Sequence, residues 1–128
     1  AVSALVTLHL AVAIWHGYAH QRLAVALSPW QDAFVLVVIL ATPPLAVALA
    51  WTRWIRTALW ALVLAMLGSF AFGAYHHFVL VSPDHVAHLP AASAGLHGQF
   101  IATAVLLAAL ELASAIYGVI ALRRLRAS

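Results

Sequence analysis

The side chains in this sequence with the most chemical capacity are its histidines. There are eight in 128 residues, and seven of them lie in four short segments. His16 and His20 form an H-x3-H pair. His76 and His77 are adjacent in Tyr75-His76-His77-Phe78. His85 and His88 form an H-x2-H pair directly after Asp84, and His97 precedes Gly98. A neutral imidazole carries one lone pair and one N–H, so such a set suits metal ligation or proton movement near neutral pH.

At about 100° per residue, His16 and His20 each fall within about 20° of His9 in helical projection, so the three make one stripe. An H-x3-H pair presents two imidazoles from one helical face to a single ion. His76 follows Ser69 by seven residues and His77 follows Gly73 by four. Their side chains point about 100° apart on a regular helix, so the sequence does not choose between them. Asp84 is placed to ligate or to orient a neighbouring imidazole.

The candidate metal ligands are therefore His16, His20, His76, His77, His85, His88 and His97. The chain has no cysteine and one methionine, Met66, which leaves an imidazole donor set suited to Cu(II), Zn(II), Fe(II) or Ni(II). Copper leads by stability order, with zinc or iron behind. Oxygen ligands for calcium or magnesium are nearly absent. The alternative cofactor is haem b, with axial ligands drawn from His16, His20, His76, His77 and His97. Gly17, Gly73 and Gly98 would make room for the macrocycle, and Arg22 would meet a propionate. The histidine set is loosely similar to the histidine boxes of membrane desaturases and hydroxylases. It lacks their complete H-x2-H-H boxes and the chain is far shorter, so it is not assigned to that family.

The elements that position these residues are membrane spans. Hydrophobic residues make up 66% of the chain and charged residues 7%. The mean hydropathy is +1.06, which belongs to a membrane protein. Apolar runs long enough to cross the bilayer fall at about 2–20, 31–51, 56–80 and 98–121. The expectation is an all-α, four-helix transmembrane bundle forming a single domain over 1–128. The first run carries His9, His16 and His20 and lacks a basic leader, so it reads as a membrane helix rather than a signal peptide.

All six cationic residues are arginines. Arg53, Arg56, Arg123, Arg124 and Arg126 belong to one end of the bundle, and Arg22 to the other. The positive-inside rule then places both termini in the cytoplasm and the histidine cluster at the extracytoplasmic face of the membrane. Basicity is thereby explained without nucleic acid. The five tryptophans sit near expected interfaces, as belt anchors do.

Glu111 falls near the middle of the fourth span, at the depth of His9. A buried carboxylate must be protonated or paired, and His9–Glu111 is the expected pair, acting as an interhelical tie or a proton relay with Asp84. No nucleophile motif or phosphate loop is present. Three functions remain: a copper-favouring metal protein for metal handling or redox use; a b-type cytochrome or quinol-linked electron carrier with bis-histidine ligation; and a small accessory subunit of a larger membrane complex or homo-oligomer.

Overall fold

The computed structural model describes residues 2–127. These form four long helices: α1 (Val2–Arg22), α2 (Pro29–Ala50), α3 (Ile55–Val79) and α4 (Ala94–Ala127), each apolar and long enough to cross a membrane. No strand forms among the described residues. The ends differ from the sequence expectation by a few residues at most places, and α4 runs on through the arginines at its C-terminal end.

Each helix end has a local cause. At the end of α1, the Val25 N–H donates to His20 O at 3.1 Å and the Ala24 N–H to Gln21 O at 3.2 Å. Ala24 has φ 52°, so this is a Schellman stop with alanine where glycine is usual. At the start of α2, Ser28 donates to Gln31 Oε1 from its backbone N–H at 2.7 Å and from Oγ at 2.9 Å. Pro29 follows at the first helical position, where its missing N–H costs nothing.

Two segments are π-helical. Val35–Ala41 lies directly before Thr42-Pro43-Pro44. The proline rings push against carbonyls one turn earlier and supply no amide, so the helix widens there. Thr42 donates to the Val37 carbonyl both from its backbone N–H and from Oγ1, the latter at 2.7 Å. The second π segment, Tyr75–Val79, carries His76 and His77.

α3 and α4 pack along their length, α1 packs on α4, and α2 lies mainly against α3. The inner half of the core joins Val6, Ala46, Leu62, Met66 and Ala115, one or more from every helix. Gly118 allows α4 to press on α3, since a Cβ there would stand 2.5 Å from Val63 Cγ2. In the outer half, Phe100 is fully buried with Ala19, Leu23 and Val25. Trp15, Trp30, Trp51, Trp54 and Trp60 are all exposed.

Candidate metal centre

The bundle brings His16 and His20 of α1 together with His77 of α3 around the ring of Phe100 on α4. Each of the three offers a ring nitrogen lying within 4.8 Å of the others. This buried triad could hold a metal ion. His16 Nε2 and His77 Nε2 are the closest pair, at 3.2 Å.

The far nitrogens of these two rings are also hydrogen-bonded. His16 Nδ1 stands 2.8 Å from Thr103 Oγ1. The Thr103 hydroxyl also lies 2.7 Å from Gln99 O and 3.1 Å from Phe100 O; with its proton on either carbonyl, His16 Nδ1 carries the N–H. His77 Nδ1 is 3.1 Å from the Asp84 carbonyl oxygen, which can only accept. His77 Nδ1 is therefore a donor as well. With both rings neutral and in that tautomer, the two lone-pair-bearing Nε2 atoms stand 3.2 Å apart. Such an approach is repulsive unless a cation, a proton or a metal ion, is shared between them.

Asp84 closes the cluster from the 80–93 loop. Its Oδ1 lies 3.1 Å from His77 Nδ1 and 3.4 Å from His20 Nε2. Burial would raise this carboxyl, but the hydrogen-bonding contact with His77 and the attraction of His77, His20 and His16 in their protonated forms outweigh it and hold the group below the usual carboxylate range. The Val86 N–H donates to His77 O at 2.9 Å, which ties the loop to the end of α3. His20 Nδ1 is buried without a hydrogen-bond partner.

The other expected ligands sit elsewhere. His76 leaves α3 toward α2, where Gln31 Nε2 approaches its Nδ1 at 3.3 Å and the rings of Trp30 and Phe72 flank it. His85 accepts from the Ala87 N–H at 3.0 Å, with its ring beside that of His88. His97 Nε2 donates to Pro90 O at 2.8 Å. Arg22 donates to Tyr18 at 2.9 Å in an exposed position. Deeper in the bundle His9 Nε2 and Glu111 Oε1 stand 3.5 Å apart, the pairing expected from their depths.

Thr103, Gln31 and Phe100 were not anticipated. Thr103 had one signal, being among the few polar residues in a long apolar helix, where polar side chains usually face other helices. Gln31 had another, its place three residues after Ser28. Comparison with protein-family models, with curated proteins and with solved structures finds no match for this chain.

Proposed function

We propose that this is an integral membrane metalloprotein that binds one transition-metal ion through His16, His20 and His77, with Asp84 as a fourth ligand or as the acceptor that orients His77. The observation that carries this is the 3.2 Å approach of His16 Nε2 and His77 Nε2, with the opposite nitrogens held by Thr103 Oγ1 and the Asp84 carbonyl. Two nitrogens about 2.0–2.1 Å from one tetrahedral ion stand about 3.3 Å apart. The pair already has the separation of neighbouring ligands.

The donor set is imidazole with one carboxylate, which favours copper by stability order, then zinc or iron. Handling of that ion, or its redox use, is the role we assign. The haem alternative fits less well. Axial nitrogens face each other through the iron at two metal–nitrogen bonds, about 4 Å, with the macrocycle between them. His16 and His77 are closer than that.

The five arginines at the end of the bundle opposite the cluster support a cytoplasmic location for that end, and hence an extracytoplasmic metal site. Elemental analysis of protein purified from metal-replete cells tests the proposal. About one equivalent of metal is expected, lost in His16→Ala and His77→Ala variants that still fold. Metal-free protein with an undisturbed helical spectrum would overturn it.

A further inference from the structure

Beside the triad lies a cavity of about 820 Å³. Its walls come from all four helices and the 23–28 turn, and include Gly17, Val35, Ile39, Gly73, Leu107 and Ala108. A bare metal ion needs nothing of this size, which is in the range of small-molecule sites, about 300–1,000 Å³.

The polar groups of the chamber are unevenly placed. His16, His20, Gln21, Asp32, His77 and Asp84 stand toward its outer end, and Ser69 and Glu111 toward the inner one. Thr103 marks the level of His16, and Glu111 follows it by eight residues, so the two ends are about 12 Å apart along the axis. Most of the wall between them is aliphatic. Phe72 and Tyr18 add aromatic faces.

The outer end has unmet hydrogen-bonding capacity. His20 Nδ1 has no partner, and Asp84 Oδ1 has imidazole neighbours but no complete hydrogen bond. A hydroxyl can donate to one and accept from another. The chamber also has a route to lipid. α1 touches α2 mainly along its Thr42–Ala50 part and hardly at all along Pro29–Phe34. On the α1 side of that seam, Gly17 presents backbone with no atom within 4 Å of where a Cβ would stand.

We propose that this chamber binds a membrane-dissolved ring lipid bearing a hydroxyl, of the quinol or alkylphenol class. The molecule enters between α1 and the outer half of α2. Its hydroxyl sits against Asp84 and His20, its ring lies between Phe72 and Tyr18, and its alkyl tail leaves through the seam. The site shares Asp84 and His20 with the proposed metal centre, while its apolar walls and its opening need no ion.

The test uses the full chain in nanodiscs of synthetic phosphatidylcholine, with and without loaded metal. Decylubiquinol, kept reduced, is titrated and one-to-one adducts are read by native mass spectrometry against empty nanodiscs. Saturable binding is expected in both metal states. Gly17→Leu and Ala108→Phe fill the chamber from two sides and are each expected to weaken binding at least tenfold while metal content stays unchanged. If one variant fails to fold, the other carries the test.

Binding no greater than partition into empty nanodiscs overturns the inference. So does equal occupancy by an alkyl chain lacking the hydroxyl ring, or binding that survives the folded chamber-filling variants. Loss of metal with probe binding intact overturns the metal assignment alone, so the two failures are distinguishable.

Discussion

His9 Nε2 stands 3.5 Å from Glu111 Oε1, joining α1 to α4 where both side chains are buried. Neither ring nitrogen of His9 has a full hydrogen bond, and Ser114 Oγ nearby in sequence is also buried without one. In hydrocarbon, a charge on one partner demands a charge on the other. Removing one partner strands the other, which costs about 3–5 kcal/mol in buried pairs. Glu111→Ala is expected to lower stability by about that amount, measured by thermal melting in nanodiscs. His9→Leu added to Glu111→Leu should recover part of the loss. A Glu111→Ala protein that melts like wild type would show that the pair contributes nothing.

Thr103→Val removes the hydroxyl that holds His16 Nδ1 while keeping the side-chain shape. Groups that orient a ligand from behind typically change metal affinity about 10–100-fold. The expected result is a weakening in that range by competition with a chromophoric chelator, with about 1 kcal/mol lost from folding. Thr103→Ser keeps the hydroxyl and should restore affinity. Equal affinity in Thr103→Val and wild type would remove Thr103 from the site.

Asp84 sets a pH dependence in metal-free protein. Its carboxyl is held below the ordinary value of 3.8, so the folded state binds the proton more weakly than the unfolded chain. The stabilisation is therefore complete above about 3.8 and is lost as pH falls through the lower folded value. Melting temperature against pH should show wild type above Asp84→Asn at pH 5. The two curves should converge in stronger acid. A margin that persists at the lowest pH at which the protein folds would contradict this.

Gly118→Ala places a methyl group 2.5 Å from Val63 Cγ2. Valine cannot swing that carbon away freely, so α3 and α4 must separate. The expected loss is about 1–3 kcal/mol, as for other overpacked cores. Val63→Ala in the same chain should return most of it, and denaturant titration of the single and double variants measures both.

Ala24 takes the left-handed conformation at the end of α1, with φ 52°. A non-glycine residue loses about 1–2 kcal/mol there relative to its preferred basins. Ala24→Gly is expected to raise stability by up to about 1 kcal/mol, since glycine's greater freedom in the unfolded chain offsets part of the gain. A lower melting point for Ala24→Gly would count against strain at this position.

The four spans were legible because lipid demands long uninterrupted apolar runs, and this chain has four. The His16–His20 pair and the His9–Glu111 depth match were legible too, because a regular helix fixes both. The choice between His76 and His77 was not, since it depends on a local departure from regular geometry at Tyr75–Val79. Nor was the fate of His85, His88 and His97. The rings of His85 and His97 answer to backbone atoms of a loop, at Ala87 and Pro90, His88 stands beside His85, and loop hydrogen bonding has no period to read. Thr103 escaped notice because one hydroxyl in an apolar helix announces a partner without saying which.

The widened turn at the end of α3 has a consequence that residue chemistry does not predict. There the Leu80 N–H donates to Tyr75 O, five positions back, at 2.8 Å, so the segment holds one amino acid more than ordinary winding would take up. Deleting Phe78 alone would touch no proposed ligand. It would let the coil tighten to ordinary winding with Asp84 and the rest of the loop keeping roughly their direction, whereas the same deletion from the regular turns before Tyr75 would swing everything downstream by roughly 100°. In this chain, the arithmetic of spacers governs the centre as firmly as the identity of its donors.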